Sequence, residues 1–308
     1  MARTYNELYL AMRRELKEAG MEEYALEARR LLALASGYTD AELIARFYLY
    51  PGEEAERKAR ELTDRRLRGE PMAYISGEWE FYGMRLLVNP SVLIPRMDTE
   101  VLVSTALELL RPAVLEPRIL DLCCGSGCIG VALANSLPNA RVYLADVSPE
   151  ALSVARRNVS LYRLSNRCVC MDADALSPPP LRMSNFDLLA CNPPYITEAE
   201  METLDPSVRD WEPALALDGG EDGLIFYRSV LEHWKSVLKD EGIVIFEVGE
   251  GQAESVRTLL TENGFYNLGC ALDTLGVERV VYGRKRTPPD RQTEPEGPAP
   301  DFFASNDT

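Results

Sequence analysis

The sequence predicts an α/β fold, in which a Rossmann-like and mostly parallel sheet carries helices on both faces and follows a small N-terminal helical bundle. From about residue 112 to residue 285, short apolar strands alternate with helical stretches, which is the pattern of a parallel sheet. Before residue 70, apolar side chains such as Leu8, Met12 and Leu16 recur at helical spacing. The 308 residues suffice for one large or two modest domains.

Composition divides the chain into four segments. Residues 1–72 are rich in Ala, Leu, Glu and Arg and are expected to form about four helices. Residues 73–90 are predicted to be a β-hairpin linker with Gly83 near its turn, and residues 91–286 to be the α/β domain. Residues 287–308 contain five prolines, carry a net charge of −4 and show no periodicity, so we expect them to be disordered.

Six strands and four helices are predicted within the alternating region. The strands are Arg118–Cys123, Arg141–Asp146, Cys168–Cys170, Phe186–Cys191, Gly242–Val248 and Arg279–Gly283. The helices are 127–136, 149–162, 222–239 and 250–263. Ligands of such folds bind at the carboxyl edge of the sheet, so the loops after the strands are the first place to look for a site.

Charge and histidine content disfavour several classes of function. The chain has 49 acidic and 33 basic residues, a net charge of −16, and residues 71–286 alone carry −11. A surface of that sign repels phosphate backbones, so we expect no direct nucleic-acid partner. The single histidine, His233, cannot form a two-histidine metal site within the chain, and its amphipathic surroundings favour a structural role.

The cysteines and the apolar runs bear on metal binding and on location. The seven cysteines have no paired zinc-ribbon spacing, so we expect reduced thiols and no metal. Residues 1–16 lack the unbroken apolar core of a signal peptide, and no apolar run approaches the roughly 20 residues needed to span a bilayer. We expect a cytoplasmic, monomeric protein without a membrane partner.

A glycine-rich turn follows the first predicted strand of the α/β domain. In Cys123-Cys-Gly-Ser-Gly-Cys-Ile-Gly130, Gly125 and Gly127 permit a sharp turn and let a ligand approach the backbone amides. Asp146 ends the next strand, where a carboxylate can accept the ribose hydroxyls of a nucleoside cofactor. The spacing also fits a dinucleotide-binding dehydrogenase. Asp121, just before the turn, favours an S-adenosylmethionine-dependent enzyme instead, and a purely structural turn stays open.

The segment Asn192-Pro-Pro-Tyr195 follows the predicted strand Phe186–Cys191. Its two prolines fix φ and remove two backbone donors, which leaves carbonyls free to accept. If the Asn192 side-chain oxygen and the Pro193 carbonyl each accept one N–H, a planar NH₂ group is held with its lone pair toward a methyl donor. Tyr195 can cover the flat face of that group. Such positioning can lower a barrier by roughly 7–11 kcal/mol, so the segment predicts methyl transfer to an amide or aryl amine nitrogen.

Further motifs flank these two segments. They are Gly69-Glu-Pro71, Tyr74-Ile75, Gly77-Glu78, Phe81, Gly83, Val92-Leu-Ile-Pro-Arg-Met-Asp-Thr-Glu100, Asp146-Val-Ser-Pro-Glu-Ala-Leu152, Glu212-Pro-Ala-Leu-Ala-Leu-Asp-Gly-Gly220 and Asp222-Gly-Leu224. Over roughly residues 5–285 the chain thereby resembles the release-factor glutamine methyltransferases, the HemK or PrmC family. The Leu-Ile-Pro-Arg and Ala-Leu-Asp-Gly-Gly stretches are the most specific, whereas Asn-Pro-Pro-Tyr also occurs in adenine-methylating DNA enzymes and some RNA methyltransferases.

The resemblance implies a seven-stranded methyltransferase sheet and an activity. The activity is methyl transfer from S-adenosylmethionine to the glutamine amide in the Gly-Gly-Gln loop of a peptide-chain release factor, which the helical bundle would dock. The implied cofactor-binding residues are Cys123, Cys124, Gly125, Ser126, Gly127, Asp146, Asp174, Ala175 and Asn192. The implied substrate-binding residues are Asn192, Pro193, Pro194 and Tyr195, with Asn192, Pro193 and Tyr195 catalytic. Arg96, Asp98 and Thr99 would help to wall the site.

Three departures from the family pattern accompany the resemblance. Cys123 and Cys124 replace the first two residues of a turn that usually reads Gly-Thr-Gly-Ser-Gly, Met97 replaces a common proline, and Cys191 replaces a frequent serine. A positive φ would strain a cysteine at position 123, so we expect the strand to extend through it. The changes place three thiols beside the cofactor and bear on its affinity rather than on the reaction class.

Other functions stay open at this point. A nucleic-acid amino-methyltransferase would use the same geometry on a flipped-out base, but it would need a basic track. Arg65, Arg66 and Arg68 are the nearest to one, and such a run is usually a solvated helix face. A binding-only protein would not need all of these motifs, and a dehydrogenase explains neither Asn192 nor the two prolines.

Overall fold

The computed structural model describes residues 3–110, 114–180 and 183–287. Apart from Thr287, the segment predicted to be disordered lies outside these ranges. Four helices form the N-terminal bundle, as the sequence predicts. They are α1 (Tyr5–Glu18), α2 (Tyr24–Ser36), α3 (Asp40–Ala45) and α4 (Glu53–Leu67). Thr4 and Thr39 begin α1 and α3 with capping boxes, and apolar residues of all four helices share one core.

A short helix and a hairpin follow the bundle. They are α5 (Met72–Ser76), β1 (Glu78–Phe81) and β2 (Met84–Leu87). Tyr82 and Gly83 form the turn with φ of +52° and +68°, the pair of positive values that a tight hairpin turn requires. Asn158 fixes the hairpin to the sheet domain, since its Oδ1 accepts from the Leu87 N–H at 2.7 Å and its Nδ2 donates to the Leu87 carbonyl at 3.0 Å.

A seven-stranded sheet forms the centre of the second domain, in agreement with the predicted fold class. Its strands are β3 (Arg118–Leu122), β4 (Arg141–Asp146), β5 (Cys168–Asp172), β6 (Phe186–Cys191), β7 (Leu238–Glu247), β8 (Phe265–Leu272) and β9 (Glu278–Lys285). The spatial order is β5-β4-β3-β6-β7-β9-β8, with β9 antiparallel to both of its neighbours and the other pairs parallel. The chain moves outward from β3 to β5 and then returns to β6 beside β3, which makes a topological switch point between β3 and β6.

Seven α-helices lie in the described part of this domain. They are α6 (Thr99–Leu110), α7 (Cys128–Ser136), α8 (Pro149–Leu161), α9 (Glu198–Met201), α10 (Pro206–Arg209), α11 (Ile225–Ser229) and α12 (Ala253–Glu262). Apolar residues of α6, α7 and α8 pack on one face, and those of α11 and α12 pack on the other. Because alternate strand residues point to opposite faces, each strand contributes to both cores.

The predicted helix over 222–239 is confirmed from Ile225 to Val237, but it is not a regular α-helix. Ile225–Ser229 is α-helical, Val230–Trp234 is a π-helical turn, Lys235–Val237 is a 3-10 turn, and β7 begins at Leu238. Val230, Leu231 and Trp234 are all buried, and the Trp234 indole N–H donates to the Ser177 carbonyl at 2.9 Å. The widened turn brings these apolar side chains into the core together, and this tertiary requirement overrides the helical periodicity.

Candidate active site

A cavity of about 350 Å³ lies at the carboxyl ends of β3, β4 and β6, beside the switch point. Its walls contain most of the predicted cofactor-binding residues: Cys123, Cys124, Gly125, Ser126, Asp146, Asp174, Ala175 and Asn192. Pro194 also lines it, whereas Gly127, Pro193 and Tyr195 are not among its lining residues. The fold therefore gathers the glycine-rich turn and the start of the Asn-Pro-Pro-Tyr segment around one space.

The turn after β3 bends at Cys123, whose φ is +60°. β3 ends at Leu122, so the expectation that the strand extends through Cys123 is wrong. The bend sends the Cys124 N–H to the Ala145 carbonyl at 3.0 Å and the Gly125 N–H to Asp146 Oδ2 at 2.8 Å. A cysteine thus occupies a left-handed conformation that costs a residue with a Cβ roughly 1–2 kcal/mol.

Gly127 has a packing role in this turn. Its φ is +79°, and a Cβ placed on it would lie 2.8 Å from Leu144 Cδ2 and 3.2 Å from Ala155 Cβ. The missing side chain therefore lets the start of α7 pack against β4 and α8. Glycine spacing alone did not separate this packing glycine from Gly125, which faces the cavity.

Asp146 ends β4, and its carboxylate joins the turn to the next loop. Oδ2 accepts from the Gly125 N–H, and Oδ1 accepts from the Ser148 N–H at 2.9 Å. Burial raises the pKa of Asp146, and these hydrogen bonds oppose the rise. Each carboxylate oxygen has a second lone pair, so both can accept a further hydrogen bond from a ligand in the cavity.

Asp174 and Ala175 lie in the loop after β5. Asp174 accepts from the Leu176 N–H and from the Ser177 hydroxyl, both at 2.8 Å. The Ala175 carbonyl accepts from the Ser229 hydroxyl at 2.8 Å. These bonds hold the loop in one shape where it forms the cavity wall.

Asp121 lies beneath the turn in the sheet and is fully buried. Its Oδ2 accepts from the Gly130 N–H at 2.8 Å, and among the described residues nothing bonds its Oδ1. Burial raises the pKa of Asp121 to about 7. Asp121 is not among the residues that line the cavity, so its influence on a ligand there is electrostatic.

Asn192 leaves the sheet beside the glycine-rich turn. Cys191 pairs in register with Leu122, so Asn192 and Cys123 follow adjacent strands at the same edge. The Asn192 Nδ2 donates to Thr99 Oγ1 at 3.3 Å, which leaves the Asn192 Oδ1 free for another donor. Thr99 begins α6 and lines the cavity, as predicted for the wall.

A glutamine and two closely packed glycines fix the backbone of Tyr195. Gln252 Nε2 donates to the Tyr195 carbonyl at 2.9 Å, and Gln252 Oε1 accepts from the Gly249 N–H at 3.0 Å. A Cβ on Gly219 would lie 2.7 Å from Tyr195 Cα, and one on Gly223 would lie 2.4 Å from the Tyr195 carbonyl oxygen. Gln252 was not predicted from the sequence, although its place after a predicted strand at the binding edge was a usable signal.

Glu247 is a second site residue that was not predicted from the sequence. It ends β7, it is buried, and the Tyr195 hydroxyl donates to its Oε1 at 3.4 Å. Among the described residues nothing bonds its Oε2. Burial raises the pKa of Glu247 to about 7.

Arg96 and Asp98 anchor the segment that precedes α6 and are not among the cavity-lining residues. The buried Glu212 accepts from the Ile94 N–H at 3.0 Å and pairs with the Arg96 guanidinium. Asp98 pairs with Arg279 of β9 at 3.4 Å. One ion pair thus joins the Leu-Ile-Pro-Arg motif to Glu212, the first residue of the 212–220 segment, and it positions the wall rather than the ligand.

Other residue classes stand apart from the cavity. His233 lies in the π-helical turn and is not among the lining residues. The described residues contain no group of three or more His, Cys, Asp or Glu placed to hold a metal ion. No helix in the described ranges is both long and apolar enough to cross a bilayer.

The sequence matches curated proteins over most of its length. It is 42% identical over 269 residues to a release factor glutamine methyltransferase of Geobacter sulfurreducens, covering 87% of this chain and 92% of that protein. It is 41% identical over 274 residues to one of Moorella thermoacetica, covering 89% and 95%. The chain belongs to the release factor glutamine methyltransferase family. The resemblance found in the sequence is thereby confirmed.

Two domain families match separate parts of this release factor glutamine methyltransferase family member. The PrmC N-terminal domain matches residues 7–77, and the methyltransferase small domain matches residues 97–210. Among solved structures, the hMettl16 catalytic domain in complex with the MAT2A 3'UTR hairpin 6 aligns with a TM-score of 0.53 and 17% identity, covering 75% of this chain and 81% of that chain. At that identity the likeness shows a shared fold alone.

The cavity of this family member fits S-adenosylmethionine. Gly125 has a φ of +53° and open space where a side chain would lie, so a ligand can approach its backbone. Asp146 offers free lone pairs to ribose hydroxyls. Ile129, Val147 and Ala173 supply apolar wall for a flat base. The residues present therefore suit a nucleoside ligand, which the glycine-rich turn alone left ambiguous.

Proposed function

We propose that this enzyme transfers a methyl group from S-adenosylmethionine to the side-chain amide nitrogen of the glutamine in the Gly-Gly-Gln loop of peptide-chain release factors. The observation that carries the proposal is a pair of free acceptors after β6. Within the described part of the chain, no hydrogen bond reaches Asn192 Oδ1 or the Pro193 carbonyl oxygen. A primary amide carries two N–H groups on one nitrogen, so the pair can bind both at once.

The proposed cofactor-binding residues are those of the turn and its neighbouring loops. Bound S-adenosylmethionine would supply a sulfonium methyl group as the electrophile. Asp146 would accept hydrogen bonds from the ribose, and the backbone of Cys123–Gly127 would approach the rest of the ligand. Asp174 and Ala175 would form the wall on the far side, with their loop held by the hydrogen bonds described above.

The protein orients the amide rather than acting as a strong base. An amide nitrogen is a poor nucleophile because its lone pair is delocalised into the carbonyl. With both N–H groups held by Asn192 and Pro193, the face of the nitrogen can be turned toward the methyl group. Pro194 lines the cavity beside them, and the Tyr195 ring, anchored at its hydroxyl, can cover the amide. Holding the reacting atoms in line accounts for much of the expected acceleration.

Docking of the release factor is proposed for the N-terminal bundle. A groove of about 960 Å³, here named the interdomain groove, is lined by residues of α2, α3, the hairpin and the segment before α6. Met97 and Glu100 lie in its wall, and Thr99 lies in the wall of the cavity. A protein held in the groove could therefore extend a loop toward the free acceptors.

A transfer assay with tritium-labelled S-adenosylmethionine tests the function. We expect label on a purified release factor and none on its Gln→Ala variant in the Gly-Gly-Gln loop. Total RNA and duplex DNA are tested in parallel. Label on nucleic acid and none on the release factor would contradict the proposal in favour of a base amino-methyltransferase.

A further inference from the structure

Glu247 lies next to the substrate-binding acceptors without facing the cavity. Phe246 of β7 pairs in register with Cys191 of β6, so the next residues, Glu247 and Asn192, emerge side by side at the edge of the sheet. Glu247 is 2% exposed, its Oε1 accepts from the Tyr195 hydroxyl, and Thr99 is near enough to lower the pKa of its carboxyl group. A carboxylate buried at such a place costs stability unless hydrogen-bond donors point at it.

The donors around Glu247 are the hydroxyls of two residues that belong to the site. Tyr195 donates to Oε1 at 3.4 Å. Thr99 lies close enough for hydrogen bonding to lower the pKa of Glu247, although it forms no bond within 3.5 Å of Oε2. A small shift of the Thr99 side chain that aligns its hydroxyl oxygen with Oε2 would satisfy the one free oxygen.

The direction of these hydrogen bonds decides the orientation of Asn192. An ionised carboxylate only accepts, whereas a threonine hydroxyl has one hydrogen to donate. Once Thr99 gives that hydrogen to Glu247, its oxygen can only accept, and it accepts from the Asn192 Nδ2 at 3.3 Å. The Asn192 Oδ1 is then turned toward the substrate, where an acceptor is required.

We propose that Glu247 is a positioning residue that, through the hydroxyl of Thr99, orients the Asn192 amide with its oxygen toward the substrate N–H. The inference rests on the proposed amide methylation, because only a donor substrate needs that orientation. Glu247 also anchors the Tyr195 hydroxyl, so one buried carboxylate organises both ends of the Asn-Pro-Pro-Tyr segment.

Protonation of Glu247 reverses the arrangement. A neutral Glu247 can donate to Thr99, which then donates to Asn192 and draws its oxygen away from the substrate. The charged and titratable groups facing Glu247 are Asp98 before α6, Arg279 on β9, Tyr195 after β6, Cys128 on α7 and Tyr227 on α11. Burial and Asp98 raise the pKa of Glu247, while Arg279 and the hydroxyls lower it, with a result of about 7. Turnover should therefore rise as the pH increases through the pKa of Glu247, because the ionised form gives the productive orientation of Asn192.

The first test substitutes Glu247→Gln in the full chain, with Glu250→Gln as the matched control on an exposed carboxylate three residues further on. A glutamine keeps the shape but can donate to Thr99. We expect kcat on release factor to fall about 10–100-fold, as is typical when an outer partner of a site residue is lost, and the control to match the wild type. The Kd for S-adenosylmethionine by calorimetry should change less than about threefold.

The acid limb of kcat between about pH 5.5 and pH 9 should disappear in Glu247→Gln.

The second test shows whether Glu247 acts through Thr99. It also tests the assignment independently if the melting temperature of Glu247→Gln is too low for kinetics. Thr99→Val should lose turnover to a similar degree, and Thr99→Ser, which keeps the hydroxyl, should restore most of it. The double variant Glu247→Gln/Thr99→Val should be no slower than the worse single variant within about threefold, because both remove one relay.

Several outcomes would overturn the assignment. The first is a wild-type kcat in Glu247→Gln or in Thr99→Val. The second is a double variant whose loss of kcat equals the product of the losses in the two single variants. The third is an acid limb of kcat that persists in Glu247→Gln and vanishes in Asp121→Asn. The proposed function fails separately, if the wild-type enzyme itself transfers no label to the release factor.

Discussion

Cys123 places a half-buried thiol at the bend of the cofactor turn. It is half-buried and lines the cavity, whereas Cys124 and Cys191 are buried and burial raises the pKa of both thiols. Because Cys123 is the least buried of these three thiols, it is the one that an alkylating reagent should reach first. An adduct there would occupy the space assigned to the cofactor.

We predict that N-ethylmaleimide inactivates the enzyme by modifying Cys123 and that bound S-adenosylmethionine slows the reaction. Peptide mass mapping identifies the modified thiol, and residual transfer activity gives the rate. Cys123→Gly should lose this sensitivity and, since glycine adopts a positive φ without strain, should raise the free energy of unfolding by up to about 1 kcal/mol. Full activity after complete labelling of Cys123 would contradict the prediction.

Asn192 and Asp146 allow binding of substrate and binding of cofactor to be tested separately. Asn192→Ala removes a preorganised acceptor, so we expect turnover to fall by on the order of 10²–10³ while the Kd for S-adenosylmethionine changes far less. Asp146→Ala should mainly raise that Kd, because its carboxylate faces the cofactor cavity. Steady-state kinetics and calorimetry on both variants check the pair. Near-normal turnover in Asn192→Ala would exclude the proposed role.

At the scale of secondary-structure elements, the sequence predicts those whose burial is visible in the pattern of their own residues. Elements whose burial depends on neighbouring strands or helices are harder to predict. The bounds of β4 and β6 match the predicted strands residue for residue, because each is a short apolar run between polar residues. β8 was missed, since most of this edge strand is only half-buried and carries little periodicity. α6 was also missed, although Glu100, Ser104 and Glu108 recur every four residues and mark its polar face.

The site divides in the same way. The glycine-rich turn and the Asn-Pro-Pro-Tyr segment are contiguous in sequence, so their residues could be found there. Glu247 and Gln252 act on Tyr195 only because β7 lies beside β6 in the sheet. Which strands become neighbours depends on long-range packing, and no local pattern specifies it.

The glycines around Tyr195 give a prediction at this scale. Gly223 and Gly220 both have positive φ, +70° and +80°, so an alanine is strained at either position. Only at Gly223 would the new Cβ meet the Tyr195 carbonyl, at 2.4 Å, since the nearest atom at Gly220 is Ile225 Cγ2 at 3.4 Å. We expect Gly223→Ala to lose turnover at least about tenfold more than Gly220→Ala at similar melting temperatures. Equal losses in kcat would show that the packing against Tyr195 does not position the site.

At the scale of the whole molecule, the two parts of the chain form different surfaces. The sheet domain forms the cavity, and the helical bundle with the hairpin forms the interdomain groove. The segment that carries Met97 and Thr99 lies between them and contributes to both walls. The domain bounds of 1–72, 73–90 and 91–286 stay a prediction, as does the docking of the release factor.

Met97 allows the docking to be tested without touching the chemistry. Its side chain is 78% exposed in the wall of the interdomain groove and is absent from the wall of the cavity. Met97→Glu would add a charge beside Glu100, and desolvating it under a bound protein should raise KM for intact release factor roughly tenfold, equivalent to about 1.4 kcal/mol. The Kd for S-adenosylmethionine and kcat at saturating substrate should stay near the wild type.

Leu275→Glu, at a similarly exposed position in the turn between β8 and β9, is the matched control and should leave KM unchanged. Equal KM values for both variants and the wild type would place the release factor on another surface.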